Sequence, residues 1–370
     1  MQILTFRRLD FKLLSLTLLL MVISLVVISS TTGGVNSGFF TPHVKKQMRD
    51  FGLGLICFFF FATLDYRKLR DWSTLLYLVT ILLLIGLFFT APIQNVRRWY
   101  RIPPLSLQPS EFAKIVVVIT LSWFLEKRAN SSRSMLTAVI AGLIVLVPFA
   151  LILKQPDLGS ALVLMPITLG MFYFGGIHPY IIRAMCGATM AVLLFVFLMF
   201  SGVIGHEQMR PAATKIIKEY QYERLNPNTY HGRAGQTAIA LGGFSGSGYK
   251  QSEFTGKNWL PFAHTDSVFC AFAEQFGFVG SIFLLGLYFA LIYFSFQIVA
   301  LAKEPFGRLL SAGIAVYIAM HVVVNVGMMC GFLPITGVPL LLMTYGGSSI
   351  QATMIALGLL QSIYSRRYMF

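Results

Sequence analysis

Apolar residues in this chain gather into long runs separated by short polar stretches. The runs cover residues 13–28, 51–63, 75–92, 112–125, 135–153, 158–174, 180–204, 267–302, 309–332 and 338–364. A helix needs roughly 20 such residues to cross a bilayer. The second run is short unless it extends back to residue 44, and the eighth is long enough to tilt or to project beyond the membrane. One long polar stretch, about 205–263, separates the seventh run from the eighth. The pattern predicts an all-α polytopic membrane protein of about ten transmembrane helices, in one domain, with one large loop between helices 7 and 8.

Composition agrees with this reading. Of 370 residues, 56% are hydrophobic and 12% charged, whereas soluble domains carry about 25% charged residues. A net charge of +15 would suit a phosphate backbone. Here, however, Lys and Arg cluster between apolar runs, which is how topology is encoded, and nucleic-acid binding is excluded. Alternate short loops differ in cation content. One set holds Arg7, Arg8, Lys12, Arg67, Lys68, Arg70, Lys127, Arg128, Arg133, Arg183, Lys303, Arg308, Arg366 and Arg367. The other set, with half as many, holds Lys45, Lys46, Arg49, Arg97, Arg98, Arg101 and Lys154. The richer set belongs in the cytoplasm together with both termini, which puts 93–110, 153–157 and 205–263 outside. Cys57, Cys186, Cys270 and Cys330 lie in apolar runs without CxxC spacing and read as small buried hydrophobes. The N-terminus, basic and then apolar with no clear cleavage site, reads as a first membrane helix that is retained.

Several polar groups interrupt the apolar pattern. His264, Thr265 and Asp266 stand at the mouth of the eighth run. An acid there costs free energy unless it is solvated, paired or used. Thr265 or Asp266 either caps the helix, or Asp266 is a chemical group. Arg97, Arg98 and Arg101 run against the topology rule; they meet lipid headgroups or bind a polyanionic substrate group such as a pyrophosphate. Pro109 suits a first helical turn, which sets Glu111 and Lys114 on one face of the fourth helix. They pair with each other or face a cavity, and either way that face points into the bundle. Asp157, behind Pro156, is a helix cap or a second acid near Asp266. The glycines at 242, 243, 246 and 248 fail as a phosphate loop, because Tyr249-Lys250-Gln251 follows and no strand precedes. They read as a flexible loop flanked by short amphipathic surface helices. Asn325 and the Pro and Gly residues between 334 and 347 read as breaks and close helix packing rather than catalysis.

Together these stretches resemble the shape, elongation, division and sporulation family of bacterial membrane proteins, the family of RodA and FtsW. The resemblance rests on Arg98-Trp99; Gln108-Pro109-Ser110-Glu111 with Lys114; Gln155-Pro156-Asp157-Leu158-Gly159; Tyr220-Gln221 with Arg224; the 242–248 glycines; Leu260-Pro261 with His264-Thr265-Asp266; and Gly337-Val338-Pro339 with Tyr345-Gly346-Gly347-Ser348. They stand in the family's order from the third run onward, and the short tails are more like the RodA branch. The resemblance implies a bacterial inner-membrane enzyme that polymerises lipid II into glycan strands during cell elongation. It also implies a class B penicillin-binding protein and other elongation-complex proteins as partners. The family's essential acid falls on Asp266, and its loop Trp and Arg on Trp99 and Arg98. Three positions depart from the family pattern: Phe262 and Gln275 stand where Glu is usual, and Ser267 where Phe is usual.

Under this resemblance the reaction is glycosyl transfer from an undecaprenyl-pyrophosphate-linked glycan to the 4-hydroxyl of lipid II. Single displacement needs one base and cations for the leaving group. Asp266 is the expected base. Arg98, Arg101 and Lys114 are expected at the phosphates, with a divalent cation, Mg²⁺ or Mn²⁺. Trp99 suits a sugar or the prenyl chain, and Glu111, Asp157, His264 and Thr265 complete the expected substrate site. Two rival readings stay open: a lipid II flippase using Glu111, Lys114 and Asp157 as a polar path, and a non-catalytic scaffold. A polymerase needs its acid on the external face. A flippase needs polar groups through the full depth of the membrane, and the cytoplasmic halves of these runs offer few.

Overall fold

The computed structural model describes residues 9–33, 38–92, 96–102, 105–214 and 219–367; Arg7 and Arg8 of the topology count lie outside these. Seven long helices precede the polar stretch: α1 (Phe11–Thr32), α2 (Pro42–Thr63), α3 (Lys68–Gly86), α4 (Pro109–Lys127), α5 (Met135–Lys154), α6 (Leu158–Phe174) and α7 (Pro179–Phe200). Within that stretch lie α8 (His206–Ala213), α9 (Glu219–Glu223), α10 (Tyr230–Gly242) and α11 (Glu253–Gly256). Three long helices follow: α12 (Val268–Leu301), α13 (Pro305–Met329) and α14 (Gly347–Ser365). A small antiparallel hairpin, β1 (Tyr100–Ile102) with β2 (Leu105–Leu107), precedes α4 and sets Arg101 opposite Ser106.

Six of the long helices, α1, α3, α5, α7, α12 and α13, are long and apolar enough to cross a membrane by length and composition. The other four show why hydropathy alone undercounts. Helix α6 has 17 residues. Helices α4 and α14 are buried on nearly every side, and α2 lies along α14. Helices α4 and α14 meet protein rather than lipid, so they tolerate Glu111, Lys114 and Gln361 at buried positions, and α2 keeps Asp50 on its buried side. Local chemistry fixes the starts. Asp10 caps α1 by accepting from the Lys12 N–H at 3.0 Å, Thr41 caps α2 ahead of Pro42, and Pro109 opens α4.

Successive helices alternate in direction, so the turns sort to two ends. At one end, here the loop end, His43 meets His264 and Thr344 meets Thr265. At the opposite end Arg67 pairs with Asp65 and Glu304, Arg70 with Glu126 and Glu304, and Arg366 stands 3.9 Å from Asp65. This network ties α3, α4, α13 and α14 together with paired charge.

Four expectations are corrected. The third run ends as helix at Gly86 and continues only as a 3-10 turn to Phe89. The tenth helix begins at Gly347, not at 338, because residues 330–346 form a non-helical stretch whose 338–344 part is largely buried. With Pro334, Gly337 and Pro339 in it, that stretch cannot satisfy its own backbone as a helix, and neighbours do so instead. Ser24, Tyr288 and Asn325 donate to the carbonyls of Met343, Leu341 and Val338 at 3.0, 2.6 and 2.8 Å. Cys186 is exposed on the lipid-facing α7, and Cys270 is the buried one of the four.

The fourth correction concerns the glycine run. Rather than a flexible loop, it is a strap laid across a break in α12. Gly277 sits at φ 64°, ψ −163°, a conformation available to glycine. The break frees the Glu274 and Gln275 carbonyls, which accept from the Ser247 and Gly248 N–H groups at 3.0 and 2.9 Å. It also frees the Phe278 and Val279 N–H groups, which donate to the Gly243 and Phe244 carbonyls at 2.9 and 3.2 Å. The four groups that would have bonded to each other in an unbroken helix are each re-partnered. A Cβ at Gly246 would overlap the Gln275 carbonyl, so the strap lies this close because the residue is glycine.

Candidate active site

The turn at residues 261–267 delivers Asp266 to the loop end of α12. The helix starts at Val268, and its cap residue, Ser267, makes no side-chain cap bond. Neither Thr265 nor Asp266 caps this helix: the Thr265 hydroxyl donates to the Phe262 carbonyl at 3.3 Å. Asp266 is half-buried, and among the described residues its carboxylate accepts no hydrogen bond. Desolvation pushes its pKa up from the usual carboxylate value of 3.8, Arg224 and Arg98 pull it back, and Asp157 adds to the rise. The result is a basic carboxylate open on one side with guanidinium charge in range.

The main chain around Asp266 is firmly held. Asn325 on α13 donates from one Nδ2 to two carbonyls, Asp266 at 3.1 Å and Val338 at 2.8 Å. One turn earlier, His321 Nδ1 meets the Pro339 carbonyl at 3.1 Å. Its Nε2 lies 3.0 Å from Lys114 Nζ, which pairs with Glu111 at 2.8 Å. Glu111, Lys114 and His321 are all fully or almost fully buried. Their chain therefore runs from α4 through α13 into the 336–339 segment, where Gly337 backs the Asp266 carboxylate. A Cβ at Gly337 would stand 3.4 Å from Oδ2, and its φ of +77° favours glycine.

Asp157 is a different kind of acid. It caps α6 by accepting from the Ser160 N–H at 3.3 Å. Its other oxygen accepts from Ser110 at 2.8 Å and from Gln108 at 3.1 Å. Arg98 stands 4.0 Å away and donates from Nε to the Gln155 carbonyl at 3.1 Å. Gly159 follows so closely beneath residue 336 that a Cβ would lie 2.7 Å from the Thr336 carbonyl. Arg224 reaches the same carbonyl from the other side at 2.9 Å. Asp157, Arg98, Arg224 and Asp266 thus border one region.

The remaining expected residues divide. His264 is half-buried and meets the rings of His43 and Tyr345 at 5.3 and 5.7 Å. Burial, with His43 nearby, lowers its pKa, so it is a neutral ring at the site's edge. Trp99 is half-buried on the approach to β1, beside Arg98. Arg101 is exposed on the hairpin, and Lys114 spends its charge on Glu111. Asn325 and His321 are residues that sequence reasoning missed as site supports; a polar pair at i, i+4 inside an apolar helix was the available signal. Glu274, beside Gln275, is engaged away from the site: it accepts from the Phe254 and Thr255 N–H groups at 3.0 and 3.1 Å and anchors α11. Among the described residues no three His, Cys, Asp or Glu side chains converge as a metal site.

Comparisons with known proteins identify the family to which this fold belongs. A family model described as cell cycle protein, covering FtsW, RodA and SpoVE, matches residues 7–369. The peptidoglycan glycosyltransferase RodA of Treponema pallidum is 31% identical, over 85% of this chain and 88% of that one. The peptidoglycan glycosyltransferase MrdB of Escherichia coli is 30% identical, over 88% and 86%. Among solved structures, a chain from a peptidoglycan synthase complex, reported for its coordination of polymerization and crosslinking, superposes with a TM-score of 0.78 at 28% identity, covering 98% of this chain and 99% of that one. The rod shape determining protein RodA of Thermus thermophilus does so with a TM-score of 0.72 at 28% identity, covering 97% and 98%. This chain belongs to the cell cycle protein family of FtsW, RodA and SpoVE.

Proposed function

We propose that the protein is a peptidoglycan glycosyltransferase that polymerises lipid II during cell elongation, with Asp266 as its base. One observation carries the assignment of the base: Asp266 is the acid of the site whose carboxylate has no hydrogen bond among the described residues, beside Arg98 and Arg224. A carboxylate kept basic by partial desolvation accepts the proton of the attacking 4-hydroxyl. The new bond forms from that oxygen to the anomeric carbon, and the bond to the pyrophosphate breaks. Arg98 and Arg224 neutralise the departing pyrophosphate. Trp99 and His264 offer flat, apolar edges to a sugar. A divalent cation, Mg²⁺ or Mn²⁺, would be carried by the substrate's own phosphate oxygens, as Mg²⁺ commonly is, since no protein cage for it converges among the described residues, and it would supply further charge neutralisation beside Arg98 and Arg224.

In this reading the loop end faces outward, both termini face the cytoplasm, and the helices lie in a bacterial inner membrane. The likeness to a chain of a peptidoglycan synthase complex supports a class B penicillin-binding protein as partner, in company with other elongation-complex proteins. The test supplies labelled lipid II to purified protein, alone and with that partner, with Mg²⁺ or Mn²⁺. Glycan ladders are expected. No ladder under any condition, together with lipid II movement across vesicles, would favour transport instead.

A further inference from the structure

The loop end holds a second opening, outside the Asp266 region. A cavity of about 340 Å³ lies between the end of α3, the approach to the hairpin and the α5–α6 turn. Phe88, Pro92 and Val96 form its apolar side, and Arg97, Lys154 and Gln155 its polar side. Arg97 is held in place by donating from Nη1 to the Phe88 carbonyl at 2.7 Å. The floor is tied on both sides, since Gln155 Nε2 donates to the Leu84 carbonyl at 2.7 Å and Arg98 to the Gln155 carbonyl at 3.1 Å. Neither Arg97 nor Lys154 has a carboxylate within ion-pair distance among the described residues. Asp157, the acid of the adjoining turn, is already engaged by Ser110, Gln108 and Ser160.

Two uncompensated cations over an apolar wall suit a phosphate or pyrophosphate borne on a lipid. The helices leading to the mouth suit the lipid itself. α3 and α5 are neighbours, with Tyr77 donating to the Ile144 carbonyl at 3.0 Å. On the way to the cavity α3, the 3-10 turn after it and α5 expose Leu82, Phe89, Leu146 and Val147. Glycan polymerisation, the reading on which this inference rests, brings two lipid-linked pyrophosphates together: one leaves, and the other stays on its prenyl chain. Arg98 and Arg224 serve the first, beside Asp266. We propose that the Arg97 and Lys154 pocket binds the second, the retained pyrophosphate of the acceptor, with its prenyl chain along α3 and α5. Arg98 and Gln155 form the partition between the two anion sites.

The experiment uses full-length protein in phosphatidylcholine nanodiscs, carrying Asp266→Asn so that no turnover occurs. Farnesyl pyrophosphate is titrated in as the probe. Adding Arg97→Gln and Lys154→Gln is expected to abolish one class of bound probe or to weaken it at least tenfold, with the melting temperature unchanged. In the active protein the same pair raises KM for lipid II by a larger factor than it lowers kcat. Unchanged probe binding overturns the proposal whatever the polymer assay shows. Displacement of the probe by phosphatidylglycerol at ordinary bilayer content also overturns it, by making the pocket a headgroup site. Failure of the wild-type protein to make polymer would instead sink the glycosyltransferase reading and leave the binding result standing.

Discussion

Asp157 and Asp266 lie close enough for Asp157 to raise the pKa of Asp266, yet the fold treats them in opposite ways. Asp157 accepts from Ser110, Gln108 and Ser160, which fills its lone pairs with donors from α4 and α6. Asp266 accepts none among the described residues, although Asn325 pins its own carbonyl. A saturated acid is part of the framework: its bond from Ser160 caps α6, and its bonds from Ser110 and Gln108 tie α6 to α4. An acid left open, on a main chain clamped from α13, is free to take a proton without the fold rearranging. The same rule separates Asp266 from Glu274, eight residues further on, whose carboxylate is used up in holding α11.

The comparison breaks most readily at Asp266 itself. Asp266→Asn is expected to lower kcat by about 10²–10⁴, the usual worth of a general base, without loss of melting temperature. The sign of the stability effect follows from the raised pKa. Between the ordinary carboxylate value and the raised one, the folded state holds more proton than the unfolded state, so stability falls as pH rises through that window. Above it the ionised, part-desolvated group opposes folding, and Asn at 266 removes that cost. Asp157→Asn has the opposite signature. Its amide meets donors where the carboxylate accepted, and a loss of about 2–3 kcal/mol in unfolding free energy is expected in detergent melts. Asn325→Leu leaves the carboxylate in place but releases its clamp; a fall of about tenfold in kcat/KM, with a smaller change in melting temperature, would register the misplacement. Arg98→Gln removes a charge that holds the Asp266 pKa down, so the acid limb of the kcat/KM profile should move to higher pH, a shift that a purely structural role would not produce. Arg101→Ala, on the exposed hairpin, should change the rate by less than about twofold.

The helices were legible because lipid demands long apolar runs, and nine of the ten expected spans overlap α1 to α7, α12 and α13, the second beginning well inside its helix and the third running past the end of its own. The tenth was misplaced at its start because hydropathy cannot tell a buried helix from a buried coil. Residues 338–343 are apolar enough for either, and side chains arriving from distant helices, Ser24, Tyr288, Asn325 and His321 among them, make the coil affordable. The glycine run was misread for a related reason: its partner, the break at Gly277, lies thirty residues away inside what reads as a continuous apolar span. At the site, Asp266 and Arg98 were legible as charges out of place. Asn325 and His321 were not, since a neutral polar side chain in a membrane helix looks the same whether it packs against a neighbour or holds a catalytic main chain.

The most direct test sets Asp266→Asn and Asp157→Asn side by side, with polymer formation from labelled lipid II and melting temperature read on the same preparations. The account predicts no polymer and an unchanged or higher melting temperature for Asp266→Asn, and a clearly lowered melting temperature for Asp157→Asn. Full polymer formation by a well-folded Asp266→Asn protein would contradict it.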